Sequence, residues 1–194
     1  MPSRRIFFGA LVALALLGAA CGDSGGSATS SSAAFNDADA SFAQGMIPHH
    51  TQAVEMADLA STRASSPKVK DLAVRIRAAQ GPEITALTGW LKSWNKPVAA
   101  SSGGMSGMDK GGSTGSDMGM MSAADMKSLT DATGTAFDKM FLTMMVVHHK
   151  GAIEMAKTEQ NTGKFADAKA MASAIVTGQQ AEIDEMTKLL TSTG

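Results

Sequence analysis

The sequence predicts an all-α protein, an antiparallel four-helix bundle built from two copies of one helical hairpin. Three observations carry that prediction. First, the chain repeats itself: at an offset of 99 residues, Asp39, Phe42, Met46, His49, His50, Ala53, Glu55, Met56 and Ala57 recur as Asp138, Phe141, Met145, His148, His149, Ala152, Glu154, Met155 and Ala156. Ile76, Gln80, Glu83, Ile84 and Leu91 meet Ile175, Gln179, Glu182, Ile183 and Leu190 in the same register, so the duplication covers two segments without a net insertion. Second, Phe35, Phe42, His49 and Met56 recur every seven residues, with Met46, Ala53 and Ala60 filling a bundle-type apolar stripe between them. Third, no segment sustains the period-two alternation of a half-buried strand.

The elements follow in order. Arg4 and Arg5 precede an apolar run over 6–20, too short for a comfortable membrane span and built like an export signal, so residues 1–20 are expected to be removed. The run ends Leu17-Gly18-Ala19-Ala20-Cys21, which resembles the lipobox of bacterial lipoproteins and makes Cys21 the expected lipidation site and membrane anchor. Residues 21–34 are nearly all small and polar, a tether with a reach of about 20 Å. The duplicated domain then occupies 35–194. A helix is expected over about 37–61; Ser66 and Pro67 read as a cap and first-turn proline that start a second helix running to about 94. A crossover over about 98–121 leads to the second copy, with helices over about 122–160 and 164–191 separated by Asn161-Thr162-Gly163. The first of these is expected to break near Thr133-Gly134, and Pro48 and Pro82 are expected to bend their helices. Two short-looped hairpins joined by one long crossover correspond to ferritin-like connectivity.

Composition removes several function classes. The chain has 194 residues, a formal charge of −1, 7 Phe, 2 Trp and no Tyr, which leaves neither a basic footprint nor a stacking platform for nucleic acid. Loss of the leader removes two arginines and no acid, so the mature chain is mildly acidic. With one cysteine there is no disulfide framework, no Ser-His-Asp or Cys-His set is in evidence, and no phosphate-cradling glycine loop follows a strand. Trp90 and Trp94, four residues apart on one helix, are expected to pack.

The four histidines carry the functional signal. They occur as two adjacent pairs at matching places in both copies, each preceded by a methionine. On a helix Met46 lies one turn from His49 and His50, and Met145 one turn from His148 and His149, so thioether and imidazole groups can converge. Met56 and Met155 lie two turns away, roughly 10 Å along the axis, and are secondary candidates. Thioether sulfur suits Cu(I) and imidazole accepts either copper oxidation state, so the donor set points to copper. The crossover adds Met105, Met108, Met118, Met120 and Met121 among Gly, Ser and Asp, a polar segment where methionine has no evident packing role; they are possible accessory ligands. Whether the two histidine pairs form one site or two depends on how the hairpins dock.

The strings Met46-Ile47-Pro48-His49-His50-Thr51-Gln52-Ala53-Val54-Glu55-Met56-Ala57 and Met145-Val146-Val147-His148-His149-Lys150-Gly151-Ala152-Ile153-Glu154-Met155-Ala156 resemble the signature of the bacterial domain-of-unknown-function 305 family. The resemblance implies an exported ferritin-like bundle, with some members associated with copper binding and resistance, and makes the eight His and Met residues of the two strings the expected ligands. The expected function is an envelope-anchored protein that sequesters or delivers copper without catalysis. Two alternatives remain open at this stage: a structural or interaction lipoprotein whose histidines merely pack, and a ferritin-like di-metal oxidase. The Glu-X-X-His spacing of the latter is absent, and Glu55 and Glu154 fall nearly opposite the apolar stripe. Asp39 and Asp138 lie on the stripe and are placed to cap or brace a neighbouring helix.

Overall fold

A computed structural model describes residues 34–98 and 118–192. The leader, Cys21, nearly all of the tether, Met105 and Met108 lie outside the described residues. Five helices are present: α1 (Asp37–Arg63), α2 (Pro67–Ser93), α3 (Ala123–Asp131), α4 (Gly134–Thr162) and α5 (Ala166–Ser192). Among the described residues there is no strand, and the four long helices form the expected bundle. The anticipated break near residue 133 is where α3 gives way to α4. Ser122 opens α3 with a capping box to Asp125, and Leu129 anchors the short helix in the core. Helices α1 and α2 continue through Pro48 and Pro82.

Hairpins α1–α2 and α4–α5 dock through α1 against α4. The two run antiparallel. Asn36 donates to the Thr162 carbonyl, Gly45 lies against Met155, and the His49 ring meets that of His148, so contacts descend α4 as they ascend α1. Two apolar clusters result. One holds Met56, Leu72, Ile76, Phe141 and Met145; the other holds Phe42, Met46, Leu87, Leu91, Phe165 and Ile175. Trp94 stacks on Phe35 with ring centroids 4.5 Å apart, and both tryptophans meet Phe165 edge-on at 5.3 Å, so they do pack.

Reciprocal capping ties the hairpins together. Asp39, buried on α1, accepts the backbone N–H groups of Lys164 and Phe165 just before α5, at 2.9 and 2.8 Å. Its counterpart Asp138 on α4 accepts those of Ser65 and Ser66 before α2, at 3.1 and 2.9 Å, and the Ser65 hydroxyl as well. Ser66 does occupy the cap position of α2, but its side chain makes no capping bond. The N–H groups at the entry to that helix, Ser65 and Ser66, are met by an aspartate from the other hairpin instead.

The symmetry breaks at Glu159, whose counterpart in the first copy is Ala60. Glu159 is buried beside Asp39, and as a carboxylate neither of its oxygens finds a donor. A proton resolves this, because protonated Glu159 can donate to Asp39. Burial first, and then the bond and charge of Asp39, push the Glu159 carboxyl up to about 8. Burial would raise Asp39 too, but the bond with Glu159 and the backbone donors of Asn36, Phe165 and Lys164 outweigh it and hold Asp39 below its usual range.

Two outcomes are expected from these end contacts. Asp138→Ala strands several N–H donors and should cost roughly 2–4 kcal/mol in urea unfolding. Glu159 holds its proton in the folded state to about pH 8 and releases it near its ordinary value of 4.5 when unfolded, so its contribution to stability falls as pH rises across that window. Denaturation midpoints of Glu159→Gln measured from pH 4.5 to 8.5 should lose that decline relative to the parent; an unaltered slope would place its origin at another group.

Candidate metal centre

All four histidines are fully buried, and the docking of α1 on α4 sets them in one row. His49 and His148 face each other with ring centroids 3.8 Å apart, and His50 and His149 follow at 6.5 Å from their chain neighbours. The two pairs therefore form one continuous cluster. Adjacent helical positions point about 100° apart, so within each pair one ring faces the opposing helix and the other turns toward the second helix of its own hairpin.

Each outer ring is held by a glutamate. His50 Nε2 donates to Glu83 Oε2 on α2 at 2.7 Å, and His149 Nε2 donates to Glu182 Oε2 on α5 at 2.7 Å. Of the central pair, His49 Nε2 donates to the Met118 carbonyl at 2.9 Å. This last contact depends on two glycines. Gly119 has φ +75, and a Cβ there would strike the Val147 carbonyl at 2.5 Å; a Cβ on Gly151 would collide with the Met118 carbonyl. The absent side chains let the end of the crossover lie against α4, and Gln52 fixes it further by exchanging two hydrogen bonds with the Met121 backbone, at 2.8 and 2.7 Å.

With Nε2 of His49, His50 and His149 committed as the donor, Nδ1 is the atom that can carry a lone pair whenever the ring is neutral. All three Nδ1 atoms are buried without a partner, as are both ring nitrogens of His148. Burial pushes His49 down to about 4, against the opposing pull of Met118, with the neighbouring His50 and His149 adding to the fall. His148 is held well below the usual imidazole value by burial and then by His49, His149 and His50, with a backbone contact from His49 opposing weakly. At neutral pH the central pair is thus neutral, the state in which imidazole ligates.

The thioethers flank this row. Met46 and Met155 belong to one apolar cluster, Met56 and Met145 to the other. Antiparallel crossing thus groups each near methionine with the far methionine of the opposite copy, an arrangement invisible along a single helix. Met46, Met56 and Met145 are fully buried, whereas Met155 is half-buried and lines a cavity of about 340 Å³ with Phe42, Gly45, Met118 and Glu159. Of the crossover methionines, Met121 packs against the core, which corrects the expectation that these residues lack a packing role. Met120 is half-buried and Met118 is more exposed.

Sequence reasoning placed Glu83 and Glu182 in the repeat and missed them as imidazole acceptors. The common separation of 33 residues from His50 to Glu83 and from His149 to Glu182 was the available signal. Glu55 and Glu154 are exposed, as expected. Among the described residues, no three His, Cys, Asp or Glu side chains are arranged to hold a metal ion. A metal in this centre would accordingly use few nitrogens or combine them with sulfur.

The model of a family described as domain of unknown function (DUF305) matches residues 39–190. No curated protein matches the chain. Among solved structures, a DUF305 protein of Streptomyces coelicolor, classed as secreted, is similar at 34% identity and TM-score 0.70, covering 81% of this chain and 94% of its own. CopM in its Cu(II)-bound form is similar at 30% identity and TM-score 0.66, covering 79% and 96%; its Cu(I)-bound form gives 29% and 0.64 with the same coverage.

The buried central pair has a measurable signature. A folded-state value near 4 for His49, below its ordinary 6.5, means that its share of stability is present above pH 6.5 and is lost as pH falls toward 4. The loss should be on the order of 3 kcal/mol. In the metal-free protein, His49→Gln should flatten that acid limb in denaturation experiments run from pH 7 to 4; retention of the full slope would contradict the assignment.

Proposed function

The chain belongs to the DUF305 family, and from that premise we propose that it is an envelope-anchored copper-binding protein that sequesters the ion or passes it on, without catalytic turnover. One observation carries this reading: five imidazole nitrogens lie buried in one row with no hydrogen-bond partner. Buried polar atoms are ordinarily satisfied, and a row of rings that each keep an unpartnered nitrogen is what a ligand set looks like before an ion joins it. The supporting contacts agree, because a ligating imidazole characteristically gives its other N–H to a carboxylate or carbonyl, the role that Glu83, Glu182 and the Met118 carbonyl fill here.

His49, His50, His148 and His149 are the proposed nitrogen ligands, and Met46, Met56, Met145 and Met155 the proposed thioethers. A neutral, largely apolar surrounding with nitrogen and sulfur donors suits Cu(I) above hard cations, and Cu(II) is accepted through imidazole. CopM, similar over most of both chains, has been crystallised with Cu(I), Cu(II) and Ag. Met118 and Met120, and with them Met105, Met108 and Met121, are proposed as accessory ligands that would bring the ion to the bundle. Lipidation at Cys21 would hold the domain at the extracytoplasmic face of the membrane, with residues 22–34 as its leash; no described helix is long and apolar enough to cross a membrane.

A ligand that binds only the folded state must stabilise it, by about 2.7 kcal/mol at a free concentration one hundred times its Kd. Cu(I) or Ag(I) should therefore raise the thermal midpoint of the mature domain, and the gain should vanish when all four histidines are replaced by alanine. An equal gain in that variant would exclude the histidine row, and no gain in the parent protein would leave only a helical scaffold.

A further inference from the structure

The face opposite the α1–α4 contact carries a second polar cluster. Between α2 and α5 lies a cavity of about 110 Å³, and the pseudo-twofold relation places Gln80 and Glu83 on one wall and Gln179 and Glu182 on the other. The small residues Ala79 and Gly178 also line it. Gln80 is 2% exposed and Gln179 5%, yet both amide atoms of Gln80 and Oε1 of Gln179 have no hydrogen-bond partner. The glutamates differ from them in being partly open to solvent, at 22% and 20%. Each spends Oε2 on a histidine inside the bundle, and both glutamates line the cavity. Nearby Arg75 gives its hydrogen bonds to Glu185, at 2.6 and 2.7 Å, and reaches Glu182 only through its charge.

We propose that this α2–α5 cavity is a divalent-cation site, in which a hydrated ion is held by Glu83, Glu182 and the side-chain carbonyls of Gln80 and Gln179. Two carboxylates balance a charge of two; Gln80 can present its oxygen inward at no loss, since its amide gives up no bond by turning, and Gln179 Oε1 is itself unpartnered. The volume exceeds what a bare ion needs and admits several retained waters, the manner in which small hard cations are usually held. Four oxygens and no sulfur give it the opposite selectivity to the histidine and thioether row. The two sites would share Glu83 and Glu182, whose Oε2 atoms already hold the outer histidines. This site does not depend on copper binding in the core and is tested apart from it.

Mn2+ is the probe, titrated into the full mature chain stripped with chelator, with free ion followed by its paramagnetic resonance. One Mn2+ per chain is expected. The paired substitution Glu83→Gln and Glu182→Gln, which keeps an acceptor for each imidazole, should abolish it, and Gln80→Ala with Gln179→Ala should weaken it at least tenfold. In the unaltered protein, Mn2+ should broaden the amide resonances of residues 79–83 and 178–182 before any others, a readout that needs no variant to fold. Broadening centred elsewhere, or equal Mn2+ uptake by the Glu83→Gln, Glu182→Gln protein, overturns the proposal. Ag(I) uptake, followed in parallel, reports on the core: its failure would count against the copper reading and leave the Mn2+ result standing.

Discussion

Burial of four imidazoles in the contact between α1 and α4 is the constraint around which the rest of the molecule is arranged. Imidazole nitrogens taken out of water without partners are unfavourable, and the fold compensates for only part of that. It brings Glu83 and Glu182 inward from α2 and α5 and the Met118 carbonyl down from the crossover. It also keeps the central pair neutral by surrounding it with apolar side chains. What remains uncompensated is confined to one row of ring nitrogens. A core built only for stability would have filled those positions with leucine.

Satisfying those rings sets requirements far from them. The outer histidines can reach a carboxylate only if each hairpin keeps its second helix in register, which the aspartate caps at either end enforce. His49 needs the end of the crossover to lie against α4, and Gly119 and Gly151 permit that approach. Helix ends, glycine placement and histidine burial are thus parts of one arrangement.

Much of this was legible in the chain. An offset of 99 residues defined the hairpins, and the seven-residue apolar stripe defined the buried face of α1. The break before α4 and the bracing role of Asp39 and Asp138 also followed from local pattern. Relations between helices did not. Ser66 looked like its own cap, whereas the bonds come from Asp138 across the bundle. Met56 was ranked by its distance along one helix, which says nothing of Met145, the residue that the antiparallel partner brings into the same apolar cluster. Glu83 and Glu182 lacked any motif, since their meaning lies in a constant 33-residue separation that only tertiary packing turns into a bond. Periodicity reports which face is buried; it is silent on what stands opposite.

The exchange of aspartate caps has an evolutionary corollary. A lone hairpin would present its aspartate to empty space and leave the start of its own second helix bare, so such a unit could complete itself only by embracing an identical twin. Fusing the twins into one polypeptide removes the need for them to find each other and frees the halves to drift apart. Glu159, standing where the other half has Ala60, is a mark of that freedom.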